Sequence, residues 1–285
     1  VTVGDEAGTA ITTGDSNTAV GFEALATEDT ASRNTAIGFR SLKTNNGGDN
    51  NTAVGENSGT AVTTGHNNTL IGQDAGEALT DADYNTAVGS DALESDTLGK
   101  KSTAVGAAAL ATQNFTSATD SFNTAVGFEA GKAVTTGAGN TFIGGLAGDA
   151  TDDGANNTAV GYLALSANCG DQNTALGRSA LQAVTGQQNT AIGYGAGSGV
   201  TTGSNNIIIG RAADGASGAS HNITIGDNIA GADNDFSFGK ASNIVYNDFD
   251  ADAAWTRSSD ERLKKNITDQ TLGLDFINDL RTVKY

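Results

Sequence analysis

The chain has 285 residues, but only 37% are hydrophobic and only 16 are aromatic (10 Phe, 5 Tyr, 1 Trp), too few for one conventional globular core. Its formal charge of −18, from 15 basic and 33 acidic residues, repels phosphate backbones and anionic lipid headgroups, which argues against nucleic-acid and membrane-surface partners. The lone Cys169 excludes an intrachain disulfide, no apolar run reaches the roughly 18 residues of a membrane span, and neither a signal peptide nor an initiating Met stands at Val1. The missing Met implies a piece of a longer protein.

Along most of the chain the tetrad Thr-Ala-Val/Ile-Gly returns, usually after Asn: Asn17, Asn34, Asn51, Asn68, Asn85, Asn123, Asn140, Asn157, Asn173 and Asn189, with Ser102 as a substitute. The closing glycines run from Gly4 to Gly226, with steps of 17 six times, then 21, 17, 17, 16, 16, 17 and 16. A short fixed period predicts a solenoid. The abundant Gly, Asn, Thr and Ala suit tight turns and narrow layers, and the strict register argues against a disordered low-complexity linker.

Within each unit the tetrad predicts a short strand, with Thr and Val on one face and Asn and Ala on the other. The residue before the glycine is aliphatic in all fourteen units, Val3 to Ile225, and is expected to form a buried column. Three residues after the glycine comes a small residue, followed by Leu (25, 42, 93, 110, 165, 181) or Gly (8, 59, 76, 131, 148, 197). This segment is expected to be a second strand or a tight corner, whose Leu form packs inward and whose Gly form turns more sharply. Thr-Thr-Gly segments ending at Gly14, Gly65, Gly137 and Gly203 read as turns whose glycine supplies a positive φ. The recurrent Asn side chains are expected to stack as an amide ladder rather than as a row of ligand sites. So narrow a coil needs lateral neighbours, which predicts a trimer, and at about 4.8 Å per layer fourteen layers make a shaft of roughly 65 Å.

The 21-residue step from Gly106 to Gly127 carries an insertion, 111–122, with Phe115 and Phe122, a candidate receptor contact. The residue after the marker glycine varies (Phe22, Phe39, Glu56, Gln73, Phe128, Tyr162, Arg178, Tyr194), as on an exposed face, and its aromatics, Tyr162 and Tyr194 included, are candidates for stacking on sugars. Aspartate pairs at 81/83, 152/153 and 233/235 read as solvated turn carboxylates, since none completes a calcium loop, and His66 and His221 have no zinc-ligand companions. No metal and no cofactor is expected, and no catalytic grouping has the strand–helix context it needs.

From Asn206 the strands grow more apolar (Ile207-Ile208-Ile209, Ile223-Thr224-Ile225, Phe236-Ser237-Phe238), which predicts cover on both faces in a taper where three chains converge, then a stem at 243–255. Leu274, Ile277 and Leu280 suit an amphipathic helix within 272–283.

The run Asn17–Leu25, Asn-Thr-Ala-Val-Gly-Phe-Glu-Ala-Leu, and its relatives over residues 1 to about 230 resemble the Asn-Ser-Val-Ala-Ile-Gly repeats of trimeric autotransporter adhesin heads. That resemblance implies a left-handed parallel β-roll with three chains side by side. The units of 16 to 17 residues are longer than is usual there, and similar repeats occur in bacteriophage tail fibres. The segment Ser259-Asp260-Glu261-Arg262-Leu263-Lys264-Lys265-Asn266-Ile267 resembles the opening of the intramolecular chaperone domain that ends phage tailspikes and fibres. The resemblance implies self-cleavage of the Ser259–Asp260 bond, with Ser259 as nucleophile and Lys264 as base, the latter sensible once burial lowers an ammonium pKa. Only the start of that domain is present.

Together these features predict an all-β parallel solenoid of 16–17-residue repeats in a homotrimeric fibre with a short helical C-terminal segment. Residues 1–230 form the shaft, 231–258 the taper and stem, and 259–285 the start of the chaperone. The expected function is structural and host-recognising: the distal part of an extracellular phage tail fibre that binds bacterial surface polysaccharide or protein. The alternatives are a bacterial trimeric adhesin head and a polysaccharide-degrading tailspike.

Overall fold

The computed structural model describes residues 1–250, all of them in strands, turns and connecting segments, with no helix. Sixteen strands join in one sheet in chain order, and four short strands pair elsewhere in two couples. Most are three residues long, as in Thr18–Val20, Thr35–Ile37 and Thr52–Val54. They run parallel and in register, Thr over Thr and Ala over Ala, through coil after coil. The solenoid and its repeat therefore stand as expected.

The chain closes each coil through left-handed residues rather than further strands. The second and fourth positions after the marker glycine and the residue before the Asn have positive φ in coil after coil, for instance Glu23 (54°), Leu25 (49°) and Arg33 (63°). The marker glycines themselves adopt φ values such as 131° at Gly21 and 140° at Gly55, where a Cβ would lie within 3.0 Å of the next coil's glycine carbonyl. No other residue type fits there.

Which strand face points inward differs from the expectation. Ala19, Ala36, Ala53 and their equivalents are fully buried with the Asn column, whereas the aliphatic column faces outward, with Ile37 40% and Leu176 46% exposed. The partition into Thr/Val and Asn/Ala faces was legible, but its direction is reversed. The reason is the backbone. Asn34 N–H donates to Asn17 Oδ1 at 2.9 Å, and Asn17 Nδ2 donates to the Ala31 carbonyl at 2.8 Å. The same pair of bonds recurs at Asn34, with Asn51 N–H and the Gly48 carbonyl, and at Asn51, with Asn68 N–H and the Gly65 carbonyl. Each of these three Asn thus satisfies two buried main-chain groups that would otherwise cost about 1–3 kcal/mol apiece, which matches or exceeds the roughly 1.5–3 kcal/mol of burying a Val. Period-two alternation then forces Thr and Val outward. The ladder is mainly amide-to-backbone, with amide–amide bonds only at places such as Asn206 Nδ2 to Asn189 Oδ1 at 2.8 Å.

The Leu/Gly choice is a packing rule, not a change of turn. Leu25 and Leu42 have the same left-handed φ (49° and 50°) as Gly59 and Gly76 (60° each). Glycine appears where a neighbouring strand centre is larger than Ala. Gly59 and Gly76 flank Leu70, Gly131 and Gly148 flank Phe142, Gly197 lies against Ile208, and Gly8 against Thr2; a Cβ at each glycine but Gly197 would fall within 3.0 Å of that side chain. The core therefore keeps its volume by exchanging Leu on one wall for Leu, Phe or Ile on the other.

The glycines of the Thr-Thr-Gly segments are not in the left-handed region, contrary to expectation. They are required by close approach: a Cβ at Gly14, Gly65, Gly137 or Gly203 would lie within 3.0 Å of a carbonyl oxygen one coil on, those of Ala31, Ala82, Gly154 and Ala219.

Toward the C-terminus the alternation continues: Ile208, Thr224 and Ser237 point inward, while Ile207, Ile225 and Phe238 remain exposed within the chain. Among the described residues the expected cover on both faces is not supplied. Gly239 acts as a further marker glycine, paired with Gly226, and Asn243–Asp248 then turns back antiparallel onto Asp235–Lys240. The first part of the expected stem is thus the closing hairpin of the sheet.

Candidate functional site

Two outward features repeat along the solenoid and are its candidate contact surfaces. One is the strand face, a column of Thr beside a column of Val, Ile and Leu. The other is the corner just after the marker glycine, where coil-to-coil variation concentrates. Main-chain bonds such as Ser179 N–H to the Tyr162 carbonyl (2.9 Å), Gly195 N–H to the Arg178 carbonyl (2.9 Å) and Ala212 N–H to the Tyr194 carbonyl (2.8 Å) hold that corner in fixed steps. Side chains there project from a rigid rail.

At the N-terminal end of the rail Phe22 and Phe39 stack with ring centroids 5.5 Å apart, and the Arg40 guanidinium lies 4.7 Å from the Phe39 centroid. Arg40 is also bonded to Glu23 at 2.8 Å, and Lys43 reaches the same carboxylate at 2.7 Å. The Lys43 hydrogen bond, followed by that of Arg40, holds the Glu23 carboxyl below its usual range. Farther along, Tyr162, Arg178 and Tyr194 occupy successive corners. The Arg178 guanidinium sits 5.8 Å from the Tyr162 centroid and 5.6 Å from that of Tyr194. Both tyrosines are open to solvent, at 48% and 56% exposure.

The insertion separates its two aromatics. Phe122 is 59% exposed with Lys101 Nζ 5.2 Å from its ring, but Phe115 is 6% exposed and belongs to the interior. Phe115 is therefore withdrawn as a surface contact. The insertion is tied down because Thr119–Asp120 pairs with Gly99–Lys100 and because a buried polar cluster replaces the Asn absent at Ser102. Asp96 Oδ1 accepts from the N–H groups of Gly99 (3.1 Å) and Phe115 (3.0 Å); Gln113 Nε2 donates to Asp96 and, at 2.9 Å, to Ser102 Oγ; Asn123 Nδ2 donates to Gln113 Oε1 at 2.8 Å. Burial raises the Asp96 carboxyl above its usual range despite these donors, and burial likewise raises that of the interior Glu28.

A second ladder, not anticipated from the sequence, runs two residues before the Asn column. The N–H groups of Asp15, Ser32, Asp49 and His66 donate to Ser32 Oγ (3.0 Å), Asp49 Oδ1 (2.7 Å), His66 Nδ1 (2.9 Å) and Asp83 Oδ1 (2.9 Å). The mixture of Ser, Asp and His at this position hid it, because only the shared ability to accept a hydrogen bond recurs. It gives His66 and Asp83 structural roles. Asp81, Asp152 and Asp233 also accept bonds, from Thr64 Oγ1, Thr135 Oγ1 and Ser220 N–H. Among the described residues no cluster of three or more His, Cys, Asp or Glu is placed to hold a metal. Ser259, Asp260, Lys264 and the expected helix at 272–283 lie outside the described residues.

No protein-family profile, curated protein or solved structure matches this chain.

Proposed function

We propose that this chain is a segment of an extracellular bacteriophage tail fibre, homotrimeric, whose solenoid displays recognition residues to a bacterial surface. The observation that supports the reading best is the division of labour within each coil. The interior is self-sufficient, filled by the Asn ladder and the volume-matched Leu, Phe and Gly positions, so corner residues vary without disturbing it. Such a shaft is a rigid display scaffold. The outward aliphatic column supports the trimer: a row of half-exposed Val, Ile and Leu beside Thr, running through the sheet, is the face that two further copies would cover. The Ser259–Ile267 segment, with its likeness to phage chaperone domains, favours a fibre over an adhesin head.

On this reading the chain is not an enzyme, apart from a single self-cleavage of the Ser259–Asp260 bond, with Ser259 as nucleophile, Lys264 as the base that takes its hydroxyl proton and hands it to the departing amine, and Asp260 on the leaving side. Light scattering of the purified protein tests the assembly, where a trimeric mass is expected and a monomeric mass refutes it. Binding of the fluorescently labelled protein to a panel of bacteria tests recognition, and absence of binding to every strain refutes the adhesive role. Hydrolysis of capsule polysaccharide by the purified protein would overturn the non-enzymatic reading.

A further inference from the structure

Among residues 1–250 there are nine Lys and Arg side chains: Arg33, Arg40, Lys43, Lys100, Lys101, Lys132, Arg178, Arg211 and Lys240. Seven of them pair with a carboxylate, as expected in so acidic a chain, and only Arg178 and Lys240 have no ion pair with another described residue. Three cations besides Arg178 serve for comparison. Arg40 over Phe39 is neutralised by Glu23, Lys101 over Phe122 by Asp120, and Arg211, the next corner after Tyr194, by Asp227 at 2.8 Å. Arg178 alone of these keeps its charge unmatched, held between two exposed tyrosine rings on a hydrogen-bonded rail.

We propose that Tyr162, Arg178 and Tyr194 form a binding site for an acidic polysaccharide. This deepens the adhesive reading above and rests on it. Two tyrosines two coils apart, about 9.6 Å at the usual layer spacing, offer flat apolar faces in line with the fibre axis, against which the C–H faces of successive sugar rings can lie. The guanidinium between them presents paired N–H donors in the geometry a carboxylate accepts. A regular rail with no enclosing cavity suits a chain-like ligand with a repeat rather than a small molecule. The surrounding negative charge does not defeat the site, because a carboxylate bonded directly to an unpaired guanidinium is short-ranged and strong while the exposed acids are screened beyond about 8–10 Å at physiological salt.

The test uses the purified 285-residue protein on an array of oligosaccharides containing uronic or sialic acids, each beside its carboxyl-reduced counterpart, with polyglutamate as a non-sugar polyanion. At least one acidic glycan is expected to bind, its reduced partner to bind at least tenfold more weakly, and both Arg178→Gln and Tyr162→Ala/Tyr194→Ala to lose tenfold or more, estimates in line with a lost charge-assisted contact. Tyr194→Phe, which keeps the ring, should retain binding. Equal binding of acidic and reduced glycans, polyglutamate binding as well as the best sugar, or an Arg178→Gln protein indistinguishable from wild type would each overturn the proposal. Wild-type adhesion to bacteria that is unchanged in Arg178→Gln defeats this site alone, whereas no adhesion to any strain defeats the adhesive reading itself.

Discussion

Replacing Phe142 by Ala tests the volume-exchange rule directly. Phe142 is fully buried, and its ring fills the space left by Gly131 in the preceding coil and Gly148 in its own. Truncation to Ala leaves a cavity between two coils that cannot collapse, because both walls are fixed by the main-chain ladder, so the loss is expected at about 3–5 kcal/mol. Gly148→Leu alone is also destabilising. Its Cβ would fall within 3.0 Å of the Phe142 ring, and overpacking of this kind costs about 1–3 kcal/mol before the roughly 1–2 kcal/mol for a left-handed side chain at φ 62° is added. The double variant Phe142→Ala/Gly148→Leu recreates the Ala and Leu found in the coil of Ala19 and Leu25, where Leu25 tolerates φ 49°. Its cost should therefore fall short of the sum of the single costs by at least about 2 kcal/mol, a coupling measured by a double-mutant cycle in guanidinium denaturation, with amide exchange across 125–164 as the local readout. Additive losses would refute the rule, since independent sites show no such compensation.

The remaining predictions concern the interior polar groups and the single thiol. Asn140→Ala orphans the N–H of Asn157 and the carbonyl of Gly154, which Asn140 now satisfies at 2.8 and 2.9 Å, and should cost about 1–3 kcal/mol for each group; exchange protection of the Asn157 amide should drop, and an unchanged amide would count against the ladder. Because burial raises the Asp96 carboxyl above its ordinary 3.8, the folded chain binds that proton more tightly than the unfolded one. Its contribution is most favourable below pH 3.8 and is lost as pH rises through that value toward the raised one, so Asp96→Asn should flatten this part of the stability profile, and an unaltered profile would refute the assignment. Cys169 is buried with its thiol pushed up to about 11 by burial, so a thiol reagent at pH 8 should label it only after unfolding, and rapid labelling of the native protein would refute its placement. Expression of the full-length gene as wild type and as Ser259→Ala, with the products sized by intact mass, should show a cut product for the former only, and identical products would remove Ser259 as the nucleophile.

Much of the fold was legible because a solenoid writes its period into the chain. The marker glycines, the strand positions and the small residue of Ala24 and Ala75 all lie where the repeat puts them. The direction of the faces was not legible, since hydrophobicity alone favours burying Val20 or Ile37 over Asn17, and only the main-chain groups of the neighbouring coils reverse that preference. Phe115 misled for a similar reason: in an insertion an aromatic reads as a surface feature, whereas here its backbone is captured by Asp96 and its ring is taken inside. Tyr162 and Tyr194 were visible as candidates through their position after the glycine. Their relation to Arg178 required knowing that successive corners stack and that no described carboxylate pairs with it.

By itself the sequence determined the period, the parallel solenoid, the strand of each coil and the split into two faces, because these follow from local alternation and from spacing along one chain. The tertiary structure decided which face is interior, why Leu and Gly alternate, and which cations among the described residues are left unmatched, because each depends on what lies one coil above or below, some 17 residues away, where hydrogen-bond partners and packing volume are supplied by a neighbour rather than by the segment itself.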